Sequence, residues 1–455
     1  MKLAALAGGV PDLAPGVTLR RPRHAERVTD TGLTVIAVRQ PGVPLVEMRL
    51  RIPFAGSGSA ATLATHAARA SVLADTLLAG TASSTQVELA ERLQRCGADL
   101  GVGVDADRLV ISGAMLATGM RAVLDVVAEV VTEATYPAHE VTGERDRLAE
   151  RITVALTDPD VQVREVLDQA MFGSHPYGRE LPAIDAVRAV TPRALRGLHE
   201  RLVRPRGATL VLVGDISPAR AIGTVTAALS AWTGDAGSPR VGALPGFEPG
   251  RTIVADRPAS VQSCIRLGAP ALPRHDEGYA ALQLANTAYG GYFSSRLVEN
   301  IREDKGYTYS PYSRIRHAPA GSTLVTQADV ATEVTGPSLV EIAYELGRIS
   351  SLPITEAELE AVRQYAVGTM MLSVGTQAGM ASTLSALAGS GLGIDWLREH
   401  AARLAAVTLD EVSEQAGTYL APSRFVAVVL GDAEAIAPAA ARLGPVERDV
   451  PAALG

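Results

Sequence analysis

The sequence predicts an α+β fold made by tandem duplication: two homologous α+β domains, each a mixed sheet flanked by helices. Three observations carry this. The first is a repeat in one register. ATLVLVGD at Ala208–Asp215 returns as FVAVVLGD at Phe425–Asp432, and the same offset of 217 joins Pro41 to Pro258, Arg49 to Arg266, Thr191 to Thr408 and Pro205 to Pro422. The second is that both copies open and close on strand-like sequence with helical periodicity between, without a strict βαβ alternation. The third is the Gly/Pro-rich stretch 234–250, GDAGSPRVGALPGFEPG, whose composition is that of a linker. The expected domains are 17–233 and 251–444, with loose ends at 1–16 and 445–455.

The first copy opens with β-branched runs at Leu33–Val38 and Val43–Ile52. Thr85 with Glu88 then forms a capping box ahead of Val87, Ala90 and Leu93, and Gly97 ends that helix. Met120–Glu133 places Val123, Val126, Val127 and Val130 at helical spacing. The second copy repeats the theme with strands at Thr252–Ala255 and Val261–Leu267 and helices at Asp276–Ala288 and Glu356–Leu372. Strands at Thr209–Val213 and Phe425–Leu430 close the two copies.

The 455 residues suffice for two large cores, and these must be aliphatic: aromatics are 4% of the chain, hydrophobic residues 47%. Charged residues at 20% exclude a disordered chain, and a net charge of −7 excludes a general nucleic-acid binder. Cys96 and Cys264 are too few for a disulfide framework or a Cys-rich metal site. The N-terminus is a poor signal peptide and no apolar run suits a membrane span, so a cytoplasmic protein without membrane contact is expected.

Six landmarks are similar to the pitrilysin/insulinase-type inverzincin family, which includes mitochondrial processing peptidase and bacterial two-subunit relatives. They are GLTVIAV at Gly32–Val38, PFAGS at Pro53–Ser57, LLAGT at Leu77–Thr81, HPYG at His175–Gly178, both Gly-Asp strand ends, and SRLVENIREDKGYTY at Ser295–Tyr309. The resemblance covers about residues 30–435. It implies a catalytic H-x-x-E-H helix before the Gly-Thr, where two His bind zinc and a Glu acts as general base. The matching residues are Ser71-Val72-Leu73-Ala74-Asp75, without either His or the Glu. The family's third ligand, a Glu, falls on Arg151, a cation that repels zinc. No two of the eight histidines stand three to five residues apart, so no helical His pair replaces the motif. No metal or other cofactor is expected in this chain.

In the family, an Arg and a Tyr from the second half reach the zinc site, and in two-subunit bacterial enzymes they belong to the subunit that lacks the zinc motif. The matching residues are Arg302 and Tyr309, with Tyr307 the rival phenol. The expected local structure is a helix starting at Ser294 or Ser295, Arg302 on its last turn, Gly306 at C′ and Tyr307–Tyr309 entering a strand. A tyrosine hydroxyl donates to an oxyanion without changing charge, and a guanidinium can hold the same oxygen or a neighbouring carbonyl.

The resemblance therefore implies the zinc-free subunit of a heterodimeric peptidase, inactive alone. Its partner would be a homologous zinc-bearing chain and its substrate a peptide. The alternative is a catalytically dead scaffold or peptide-binding homologue. Six of the 18 aromatics and one of two lysines, Lys305, fall between Tyr289 and Tyr312, around the Arg/Tyr pair.

Overall fold

The computed structural model describes residues 21–449 except 238 and 443, so the expected loose end at 1–16, and residues 450–455 of the one expected at 445–455, lie outside the described residues. The first sheet contains β1 (His24–Val28), β2 (Thr34–Arg39), β3 (Leu45–Pro53), β4 (Asp99–Val104), β5 (Arg108–Leu116) and β6 (Thr209–Gly214), in the order β1-β2-β6-β3-β5-β4. The second contains β7 (Thr252–Asp256), β8 (Gln262–Ala271), β9 (Tyr312–Ala318), β10 (Gly321–Ala331), β11 (Val426–Gly431) and β12 (Val446–Asp449), in the order β12-β7-β11-β8-β10-β9.

Five strands of each sheet follow one plan. β2 runs parallel to β6 as β7 does to β11, and the remaining pairs among the five are antiparallel. The starts of β3 and β8, like those of β6 and β11, are 217 residues apart. Only the sixth strands differ: β1 joins β2 antiparallel, whereas β12 joins β7 parallel. β12 corrects the expectation that the second domain ends at 444. Its sequence, VERD, is a polar edge strand without the apolar alternation that marks a half-buried one.

The helices at Gln86–Arg95 and Met120–Glu133 form as the sequence predicts, the first with the Thr85/Glu88 capping box and Gly97 at φ +55°. The helix expected from Asp276 starts at Tyr279, because the Asp276 carboxylate instead accepts from the Gly278 N–H at 2.9 Å. It passes into a π-helical turn at Thr287–Gly291.

Each half lends a helix to the other. Pro159–Phe172 from the first half buries Val163, Leu167, Met171 and Phe172 against Ile253, Val426, Val428 and Leu430 of the second sheet. Gln377–Gly389 from the second half buries Met380, Ala381, Leu384 and Leu387 against Ile36, Val38, Val211 and Val213 of the first. β6 and β11 are covered on both faces for this reason, which explains their unbroken apolar sequence. Gly268 makes room for the visiting helix: a Cβ there would stand 2.3 Å from the Met171 sulfur. Arg266, 1% exposed, adds ion pairs at 2.7 Å to Asp160 of that helix and to Asp329 of its own sheet. At roughly 1.5–3 kcal/mol for each buried large side chain, apolar contact dominates this junction.

Candidate functional site

The SRLVENIREDKGYTY segment forms one exposed structure anchored from below. Ser295 precedes a short helical turn at Arg296–Val298, which widens into a π-helical turn over Glu299–Asp304. Gly306, at φ +64°, donates to the Arg302 carbonyl at 3.0 Å, and Tyr307 N–H donates to the Ile301 carbonyl at 2.9 Å. This is a Schellman-like closure, widened to suit the π winding. Leu297 and Ile301 fix the segment's inner face in the core.

Polar contacts complete the anchorage. Arg296 donates to Glu358 at 2.8 and 3.1 Å. Burial pushes the Glu358 carboxyl up, but hydrogen bonds from Arg296 and the Thr355 N–H outweigh it and hold the pKa at about 2. Lys305 donates to Asn300 Oδ1 at 2.7 Å and lies 3.4 Å from Glu341. Asn300 in turn donates to Glu341 at 3.0 Å and to buried Glu345 at 2.8 Å.

The structure brings Arg302 and Tyr309 together. The Arg302 guanidinium carbon lies 4.7 Å from the Tyr309 ring centroid and 4.8 Å from that of Phe293, and Arg302 Nε is 3.2 Å from Glu303. Of the two rival phenols it is Tyr309 whose ring meets Arg302; Tyr307 is half-buried. The expected strand at Tyr307–Tyr309 does not form, and β9 begins only at Tyr312. The chain leaves the helix through Gly306 as an irregular loop, which turns the Tyr309 ring back onto Arg302. Phe293 was not singled out from the sequence. Its signal was the aromatic concentration itself, because a separation of nine residues matches neither helical nor strand spacing.

The region matching the family's zinc motif is built differently. Ser71 and Asp75 stand on the helix Ala60–Thr76, and Arg151 stands on the neighbouring helix Ala138–Ala155. Arg151 Nη2 meets Asp75 Oδ2 at 2.5 Å, while Glu144 is held by Arg147 at 2.6 Å. Burial raises the Asp75 pKa, and Arg151 offsets that only in part. His66 Nε2 donates to the Phe54 carbonyl at 2.8 Å. Among the described residues no group of three or more His, Cys, Asp or Glu could hold a metal. The donor set at 71, 75 and 151 does not fit zinc: one hydroxyl, one carboxylate and a cation that already occupies the carboxylate. Alongside lies a cavity of about 400 Å³, walled by Ala64, Ala67 and Ser71 on one side and His175, Pro176 and Leu181 on the other. Among the described residues no helix is long and apolar enough to cross a membrane.

Two sequence models of one family match the chain: "Insulinase (Peptidase family M16)" over residues 58–183 and "Peptidase M16 inactive domain" over 189–365. The chain belongs to this insulinase-type peptidase family. It is 26% identical over 407 residues to an uncharacterized zinc protease of Mycobacterium leprae, covering 88% of this chain and 90% of that protein. It is 24% identical over 299 residues to the uncharacterized zinc protease YmxG of Bacillus subtilis, covering 65% and 71% of the two chains. A peptidase M16 inactive domain from Pseudomonas fluorescens shares the fold with a TM-score of 0.79 at 22% identity, covering 90% of this chain and 98% of that one. The first half of the periplasmic protease PqqL from Escherichia coli does so with a TM-score of 0.74 at 18% identity, covering 93% and 95%. Against a PqqL structure that includes more of that protein, the match covers 49% of that chain.

Proposed function

We propose that this chain is the zinc-free subunit of a two-chain metallopeptidase and that it supplies Arg302 and Tyr309 to peptide hydrolysis in a partner's active site. The observation that carries this is the contact between Arg302 and Tyr309 on an exposed surface, with the segment beneath them rigidly anchored. The partner would be a homologous chain with an intact zinc motif, which supplies the activated water. The fit of this chain to about half of PqqL supports an assembly of two such units.

In that assembly the Tyr309 hydroxyl donates to the oxyanion that develops on the substrate carbonyl. A phenol hydroxyl makes that hydrogen bond without bringing a charge of its own. The Arg302 guanidinium presents in-plane N–H groups to the same oxygen or to the next peptide carbonyl, which fixes the substrate's register. Alone, the chain binds peptide at most and hydrolyses none. The setting we propose is the cytoplasm.

Peptide hydrolysis by the separate and recombined chains, after co-purification of the partner from the native cell, tests this. Activity is expected only in the mixture, together with zinc bound to the partner. Hydrolysis by this chain alone, or a mixture indifferent to Arg302→Ala and Tyr309→Phe, would leave the scaffold role as the better account.

A further inference from the structure

Arg302 lies over two aromatic rings. The centroids of Phe293 and Tyr309 lie 4.8 and 4.7 Å from its guanidinium carbon, inside the ~6 Å reach of a cation–π contact. Both rings are otherwise poorly placed, 58% and 80% exposed, so burial of apolar surface does not account for them. A guanidinium donates its hydrogen bonds in its own plane, and Nε already faces Glu303 at 3.2 Å. What remains for an incoming group is the rim that carries the Nη donors.

Phe293 is itself fixed. The preceding Tyr292 packs its ring at 5.2 Å on Tyr365, and Ser295 N–H donates to the Tyr292 carbonyl at 3.1 Å. Two π-helical turns frame the arrangement, one ending at Gly291 and one containing Arg302. Each inserts a residue relative to an α-helix and re-aims the side chains that follow, a device frequent at functional sites.

We propose that Phe293 is a positioning residue: with Tyr309 it clamps Arg302 so that the guanidinium meets a peptide carbonyl or oxyanion edge-on. This rests on the peptidase role assigned above to Arg302. It divides the work of the two rings. Phe293 contributes only its face, whereas Tyr309 contributes a face to the clamp and a hydroxyl to the substrate.

The test uses the recombined two-chain enzyme and, separately, this chain alone. In the enzyme, Phe293→Leu is expected to lower kcat about tenfold with KM within about twofold, because a misaimed group costs rate more than affinity. Phe293→Tyr, which keeps the ring face, should return kcat to within about threefold. In the chain alone, the Arg302 Nε–H resonance, assigned by its loss in Arg302→Lys, should be shielded by the two rings and move downfield in Phe293→Leu. An unmoved resonance overturns the clamp whatever the activity. Equal losses in Phe293→Leu and Phe293→Tyr, or no loss in Phe293→Leu where Arg302→Ala is inactive, overturn the positioning role while leaving the peptidase reading intact. Full activity in Arg302→Ala instead removes the reading beneath it.

Discussion

Asp75 and its counterpart in the second half of the molecule make contacts of different chemistry. In the first half the helices 60–76 and 138–155 meet through Asp75 and Arg151 at 2.5 Å. In the second half the residue 217 positions after Asp75 is Tyr292, and it packs at 5.2 Å on Tyr365, 218 positions after Arg147. The first junction is a closed pair of opposite charges that satisfy each other. The second is an aromatic contact next to Phe293, which with Tyr309 flanks Arg302; in the proposed assembly the Arg302 Nη groups face the partner. One duplicated frame thus carries a closed charge pair in one half and an aromatic contact beside Arg302 in the other.

The largest effects should fall on the shared frame, and equally in both halves. Leu167 and Leu384 are 217 residues apart, both 1% exposed, each on the helix lent to the opposite sheet. Leu167→Ala and Leu384→Ala are each expected to cost about 2–5 kcal/mol in chemical denaturation. Because each helix belongs to both halves, unfolding should stay a single transition. Two separated transitions in either variant would break the picture of halves locked by exchange.

Next in size is the functional contrast. In the recombined enzyme, Arg302→Ala should lower kcat about 100-fold, the scale of losing one oxyanion donor. Tyr309→Phe, which keeps the stacked ring, should lose rate without loosening Arg302. Asp75→Asn should stay within about threefold of the native rate, since its carboxylate is spent on Arg151. A rate collapse in Asp75→Asn would erase the distinction between the two junctions.

Much of the frame was legible in the sequence because it is local or periodic. The Gly-Asp strand ends disclose the duplication, Thr85 with Glu88 the capping box, and Val123 to Val130 an amphipathic helix. What was not legible depends on distant partners or unusual winding. The exchanged helices are apolar toward the sheet of the opposite half, and β12 is a strand only because β7 offers it an edge. Spacing and resemblance selected Arg302 and Tyr309, but the π turn and the left-handed Gly306 decide where their side chains meet. The same winding draws Phe293 into the group.

Two buttressing carboxylates should give a smaller, pH-dependent effect. Burial pushes the pKa of Glu129 up, yet Thr81, Arg92 and Ser83 donate to it and hold it at about 2, as Arg296 and Thr355 do for Glu358. Both folded values lie below the unfolded one near 4.5, so the stability they contribute is full above that pH and is lost as pH falls toward 2. Glu129→Gln or Glu358→Gln should each cost roughly 1–3 kcal/mol at neutral pH and flatten the acid limb of a stability–pH curve. An unchanged acid limb in both variants would show these carboxylates to be bystanders.

The smallest effect is the most discriminating, because Asp75 is also paired with an arginine yet carries the opposite sign. Its carboxyl is partly buried, and that burial outweighs Arg151, so its folded pKa stands above the ordinary carboxylate value. Between the unfolded and folded values the native state holds the extra proton, so this group's contribution falls as pH rises through that window. Arg151 is 53% exposed, and such pairs contribute about 0–1 kcal/mol. Asp75→Asn should therefore change stability at pH 7 by less than about 1 kcal/mol, and remove a shallow decline in stability that begins near pH 4. Urea titrations of the native chain and the variant at pH 4 and pH 7 measure both quantities. A loss of several kcal/mol at pH 7 would mean that the Asp75–Arg151 pair holds its two helices together. On the physics above, apolar packing holds them and the pair serves only to neutralise two charges.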